Sequence, residues 1–274
     1  MDFRSCKYIT ELPDLSMSNP NLKELVLSDC NNLVEVHQSV GHLDKLVVWD
    51  LKGCSKLQHL PDCLMMKSLE YFNVLYCSKL KKFPNIHPKM KSLKYLEMGE
   101  TSISVLPPSF GNLTRLKTIL FGSYDQLLHL PSSIYELQHL SDLGLYGSVI
   151  FPKDFDKFDY MFPSLIKLTL SFFEIRSEVD FILTSCCTHT SKYLYIYNSN
   201  VVTLPKRIID FTRLHTLHIE GCKLLQKIPM LPKSITKVHA SNCLSLDSKS
   251  SSELLNQVSL SLSLSLSQAM KKQI

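Results

Sequence analysis

Leucines and their apolar stand-ins return along this chain in one fixed phrase. It is first legible in Leu22-x-x-Leu25-x-Leu27-x-x-Cys30-x-x-Leu33, and again in Leu46-x-x-Trp49-x-Leu51-x-x-Cys54-x-x-Leu57-x-x-Leu60-Pro61. The phrase runs on through Leu69, Phe72, Val74, Cys77 and Leu80, then through Leu93, Leu96, Met98, Thr101 and Ile103. It continues at Leu116, Ile119, Phe121, Tyr124 and Leu127, at Leu140, Leu143, Leu145, Ser148 and Ile150, and at Leu165, Leu168 and Leu170. Two further units centre on Leu194 and Leu217, and a weak last one on Val238. The second strand position of each unit falls at 25, 49, 72, 96, 119, 143, 168, 194, 217 and 238, a spacing of 21 to 26 residues.

The central x-L-x-L-x stretch has period 2, so its two apolar side chains share one face and their neighbours the other, as a short strand requires. No unit buries its apolar face alone, so successive strands stack in parallel, and ten units exceed the roughly three needed for stability. Length and phrase together predict an α/β repeat, a leucine-rich-repeat solenoid (horseshoe) with a parallel concave sheet and a convex face of 3₁₀ turns or short helix. The solenoid is expected over residues 1–246, as a partial first repeat and about ten units. Residues 247–274 form a low-complexity Ser/Leu tail, strictly alternating over Ser259–Ser267 and expected to be disordered.

Three residues after each strand comes a slot held by Cys6, Cys30, Cys54, Cys77, Cys222 or Cys243, with Thr101 and Ser148 in the same place. The chain turns inward there, and only a small, weakly polar group fits. Thiolates spread one per repeat, about 4.8 Å apart, do not converge on a tetrahedral metal with bonds of about 2.3 Å, so no metal site is expected. Recurrent prolines (Pro13, Pro61, Pro84, Pro107, Pro131, Pro152, Pro205, Pro229) close the inner part of each repeat. Beyond them, apolar residues at every third position, as in Phe110-Leu113-Leu116 and Ile134-Leu137-Leu140, describe 3₁₀ turns. Ser39, Ser109 and Ser133 are candidate N-caps for them.

Composition narrows the class further. Nine cysteines, most of them at one repeated structural position, read as reduced thiols of a cytoplasmic or nuclear protein rather than a disulfide framework. The formal charge of +5 over 274 residues points to neither nucleic acid nor membrane as partner. The start shows no signal peptide, no run approaches the length of a membrane span, and no G-x-x-x-x-G-K-[ST] occurs. Because Phe3 and Cys6 already occupy the middle of a repeat, the chain is expected to be a fragment or truncated product of a longer one. The phrase loosens between Ser171 and Lys192. Cys186 and His189 there have the spacing of a thiolate and its base, but without an orienting carboxylate or oxyanion glycines no catalytic residue is expected. The Asn112-Leu113-Thr114 sequon is read as incidental.

The stretches LKELVLSDCNNLVEVHQSVGHLDKLVVWDLKGCSKLQHLP and LHTLHIEGCKLLQKIPMLPKSITKVHASNC resemble the repeat domain of plant intracellular immune receptors of the TIR-type nucleotide-binding leucine-rich-repeat class. The resemblance covers roughly residues 1–246. It implies a module that recognises pathogen effectors or a guarded host protein and restrains a nucleotide-binding domain, with no cofactor of its own. The competing expectation is a constitutive intracellular scaffold that binds a host GTPase or phosphatase.

Binding is expected on the outward residues flanking the strand leucines. These begin with Glu24, Val26, Ser28, Val48, Asp50, Lys52, Tyr71, Asn73 and Leu75. They continue with Tyr95, Glu97, Tyr146, Lys167, Tyr193, Tyr195, Tyr197, His218, Glu220, Lys237 and His239. Tyrosine offers a large contact area, a polar tip and little entropy to lose, so the candidate protein-binding residues are Tyr71, Tyr95, Tyr146, Tyr193, Tyr195, Tyr197, His218 and Glu220. The preferred patch is Tyr193, Tyr195 and Tyr197 beside His218 and Glu220. A second basic group, Lys79, Lys81, Lys82, Lys89, Lys91 and Lys94, falls on loop and convex positions and reads as a solvated face.

Overall fold

The structure, a computed structural model, describes residues 1–152, 162–172, 189–247 and 263–266. They belong to two compact units, Met1–Leu140 with Tyr146–Phe158, and Ser141–Leu145 with Asp159–Ile274. Each is a stretch of parallel-sheet solenoid. The first stacks β1 (Glu24–Val26), β2 (Val48–Asp50), β3 (Tyr71–Asn73), β4 (Tyr95–Gly99) and β5 (Thr118–His129). The boundary between the units falls within β6 (Asp142–Ile150). The second stacks β7 (Lys167–Ser171), β8 (Tyr193–Tyr197), β9 (Thr216–Glu220), β10 (Lys237–Ser241) and β11 (Ser263–Leu266).

Register follows the spacing in the sequence. Leu25 stands opposite Trp49, Trp49 opposite Phe72, Phe72 opposite Leu96 and Leu96 opposite Ile119. Leu168, Leu194, Leu217 and Val238 form the matching column of the second unit. All of these side chains are buried, and burial of each stabilises by about 1.5–3 kcal/mol. The first unit adds an aromatic stack: Trp49 lies on Phe72 at 4.7 Å between ring centroids, Phe72 meets Phe83 at 6.2 Å, and Phe83 meets Phe110 at 5.6 Å.

The small slot is buried, and its thiols are tied down. Cys30 Sγ donates to the Phe3 carbonyl at 3.0 Å, Cys54 Sγ to Leu27 at 3.1 Å and Cys77 Sγ to Leu51 at 3.2 Å, each one repeat back. Thr101 holds the slot with a hydroxyl donated to the Met98 carbonyl. One residue earlier stands a column in the left-handed region: Ser5, Asp29, Gly53, Tyr76, Glu100, Phe172, Asn198, Gly221 and Asn242. That conformation ends the strand while keeping the amide in the ladder. Asp29 N donates to the Lys52 carbonyl, Gly53 N to Leu75, Tyr76 N to Gly99 and Glu100 N to Gly122. The extra rung offsets a cost of about 1–2 kcal/mol at the residues with side chains.

Past the slot, two-residue strands pair again, Glu11–Leu12 with Glu35–Val36 and Cys63–Leu64 with Asn85–Ile86. The 3₁₀ turns follow at Gln38–His42, Pro108–Asn112, Ser132–Glu136 and Lys206–Asp210, where the apolar triplets predicted them. Their caps correct the sequence reading. His37, Pro107, Pro131 and Pro205 hold the N-cap position, so Ser39, Ser109 and Ser133 lie inside the turns. A proline needs no donor at that place, and Ser109 Oγ instead accepts the amide of Ile86 from the preceding repeat.

Two further positions differ from expectation. The turn predicted at Tyr124 is absent: β5 runs straight through to His129, leaving Leu127 43% exposed and Leu128 at 1%. Ile150 likewise gives up the core position to Val149. An uninterrupted strand keeps alternating, so a turn-based count lands on the wrong face. The lysines at 79, 81, 82, 89 and 91 are exposed and Lys94 partly so, with ion pairs from Lys82 to Asp62 and Lys94 to Glu70. Beyond the slot of the last repeat, β11 pairs parallel with β10 and sets Leu264 opposite Val238 and Leu266 opposite Ala240. Cys186 lies outside the described residues.

Candidate functional site

In a strand whose leucines point inward, the residues between them necessarily point outward, and parallel in-register stacking then lines them up in rows across the sheet. On the second unit one row reads Thr169, Tyr195, His218, His239. A second reads Lys167, Tyr193, Thr216, Lys237, and a third Ser171, Tyr197, Glu220, Ser241. The side chains make one connected group. The Tyr195 and Tyr197 rings are 6.1 Å apart and nearly parallel, and His218 packs on both, at 5.8 and 5.4 Å. His239 continues the chain of rings at 5.3 Å from His218.

Charge is arranged around the rings. Lys167 Nζ stands 5.4 Å from the centre of Tyr195, within the range of a cation–π contact. Glu220 Oε2 accepts from His218 Nε2 at 3.3 Å. Tyr195, Tyr197, His218 and Glu220 are half-buried by these contacts, while Tyr193 is 38% exposed at the edge of the group. Rings that already lean on one another lose little freedom when a partner covers them.

The predicted site residues thus divide. Tyr195, Tyr197, His218 and Glu220 are brought into contact, with Tyr193 in the neighbouring row. Lys167 and His239 complete the group; their place in the rows follows from repeat spacing, but only their ring and charge contacts show that they belong. Tyr71 and Tyr95 stand opposite one another on β3 and β4 of the first unit. Tyr71 is drawn into a polar network instead: its hydroxyl accepts from Asn73 Nδ2 at 2.8 Å, and burial, then the nearby Glu97 charge, push its ionisation up. Burial also raises Glu97 above the usual carboxylate range. Tyr146 belongs to the first unit, where its backbone carbonyl closes on Gly122. Asn73 and Ser28, expected to face outward, are buried at 2% and 8%, because their neighbours on both sides close over them.

Among the described residues no group of three or more His, Cys, Asp or Glu side chains could hold a metal ion. Burial pushes the Cys54 thiol up to about 12 and Cys222 to about 11, far from the thiolate a nucleophile or ligand needs. Asn112 Nδ2, the sequon nitrogen, is engaged in a 2.8 Å bond to the Ile86 carbonyl. No helix among the described residues is long and apolar enough to cross a membrane.

Parallel one-strand repeats with an inward leucine pair and a small buried slot define a leucine-rich-repeat protein. A leucine-rich-repeat protein of Leptospira interrogans shares this fold at a TM-score of 0.55 and 19% identity, over 93% of this chain and 75% of that one. Residues 65–160 match the family of leucine-rich repeats of RPS4B-like disease resistance proteins. The chain is 33% identical over 231 residues to disease resistance protein RPP5 of Arabidopsis thaliana, covering 83% of this chain and 15% of that protein. It is 27% identical over 287 residues to TMV resistance protein N of Nicotiana glutinosa, covering 87% of this chain and 25% of that one. Over most of its length it is therefore similar to the leucine-rich-repeat part of plant TIR-type nucleotide-binding disease resistance proteins, and it spans a quarter or less of the length of these relatives.

Proposed function

We propose that this chain is the protein-recognition module of an intracellular immune receptor, and that it binds its partner through the ring-bearing face of β7–β10. The observation that carries the reading is the connected group of Tyr195, Tyr197, His218 and His239 with Lys167 and Glu220 around it. Solvent-facing aromatic side chains held by one another are the feature that marks binding hot spots. Kinship with disease resistance proteins supports a partner that is a pathogen effector or a guarded host protein, with restraint of a nucleotide-binding domain as the linked task. The buried, protonated thiols suit a cytoplasmic or nuclear setting.

The test is proximity labelling in plant cells, with and without pathogen challenge, comparing this chain with a Tyr193→Ala, Tyr195→Ala, Tyr197→Ala variant shown by circular dichroism to fold. Capture of a pathogen protein or a full-length receptor, lost in the variant, is the expected result. Constitutive capture of a GTPase or phosphatase, equal in both chains, overturns it in favour of a general scaffold.

A further inference from the structure

The equivalent outward positions of the two units carry opposite charge. On β1–β4 they hold three acids, Glu24, Asp50 and Glu97, against one lysine, Lys52, so the sign is negative there. On β7–β10 they hold Lys167 and Lys237, the two histidines and a single acid, Glu220. The described residues of the second unit as a whole carry nine lysines and arginines against four acids, so the field over this face is positive.

The placement of the lysines is informative. Lys167 and Lys237 lie at the two ends of one register row, with Tyr193 and Thr216 between them. Three strand spacings separate them, about 14 Å. An extended peptide advances about 3.4 Å per residue, so carboxylates at positions i and i+4 span the same distance. Residues between those carboxylates would lie over Tyr193 and Thr216, with the Tyr195 and His218 rings in the adjoining row, where aromatic side chains stack well.

Building on the reading above, we propose that the face of β7–β10 takes an extended acidic segment of its partner protein, with carboxylates four residues apart and aromatic residues between. Both lysines are exposed, so their charge is available to a ligand. Glu220 sits two rows away, where it opposes the evenly spaced phosphates of a nucleic acid more than two carboxylates that bypass it. Two cations on the face are also few beside the six to ten phosphate contacts of a typical nucleic-acid binder.

The experiment uses the full chain and fluorescence anisotropy with three probes: a labelled peptide with Glu at i and i+4 around tyrosines, its Glu-to-Gln counterpart, and a single-stranded oligonucleotide. The expected result is binding of the acidic peptide that weakens roughly tenfold or more in the Gln peptide, in about 0.5 M salt and in a Lys167→Glu, Lys237→Glu variant. A Lys167→Arg, Lys237→Arg variant retains it. Equal binding of the Gln peptide, tighter binding of the oligonucleotide, or no binding of any probe overturns the proposal. Proximity labelling separates this failure from that of the broader reading. If the tyrosine variant loses its partner while the charge-reversed one keeps it, the face binds a partner that is not acidic; if both keep it, the face is not the binding surface.

Discussion

Strands β1–β3 and strand β5 share one ladder register in the first unit, yet leave the sheet in different ways. The first three are three residues long and end in a left-handed residue followed by a buried cysteine. Strand β5 runs for twelve residues, with Gly122 at φ 101° one residue before the position where the others turn. The phrase is the same in both regions up to the slot, where Cys30, Cys54 and Cys77 give way to Tyr124. A thiol fits under the turn and donates to the preceding repeat. The inward leucines therefore set the register, while the exit varies: β6, with the small Ser148 at its slot, also runs on, to Ile150.

Four substitutions sharpen the contrast, beginning with the core that both regions share. Phe72→Ala, in the cysteine-turn region, and Phe121→Ala, in β5, should each cost about 3–5 kcal/mol in urea unfolding, since both rings are fully buried. A much smaller cost for Phe121 would mean that β5 is not packed as part of the same core. The next effect lies at the exits. Gly122→Ala should cost about 2–4 kcal/mol, because its Cβ would run into the Tyr146 backbone at a φ that side chains rarely adopt. Gly53→Ala should cost about 1–2 kcal/mol, since the obstacle is the Asp29 side chain, which can move. Equal costs would count against the close approach of the Tyr146 backbone to Gly122.

The smallest effect is one of pH and belongs to the cysteine-turn region alone. Burial raises Cys54 from 9.0 to about 12, so the folded state holds its proton more tightly than the unfolded chain. The associated stability is fully present below pH 9 and is lost as pH rises towards 12. At pH 10 the loss is about 1.4 kcal/mol, so a Cys54→Ala variant should show an alkaline decline shallower by that amount. Identical slopes in variant and parent would mean that the thiol is not buried as described.

Much of this was legible beforehand. Period-2 alternation fixed which residues face inward, and repeat spacing fixed which stand opposite, so the rows that place Tyr195 beside His218 follow from counting. What counting missed has a common cause. The left-handed column is occupied by Ser, Asp, Tyr, Glu, Phe and Asn as well as Gly, so it leaves no residue-type signal. The serines taken for N-caps lose that role to Pro107 and Pro131, whose fixed φ already begins the turn. Tyr71 appears as one more outward tyrosine until Asn73 and Glu97 are seen to engage it.

The sequence by itself determined the solenoid, its register, the reduced and buried thiols, and kinship with plant resistance proteins, because all of these depend on residue type and spacing along the chain. Only the tertiary structure decided which outward residues form a surface. The cluster of Tyr195, Tyr197, His218 and His239 under Lys167, and the loss of Asn73 and Ser28 to the interior, depend on how neighbouring repeats lean on one another. Most such contacts join side chains more than twenty residues apart, and the repeat phrase does not encode their rotamers.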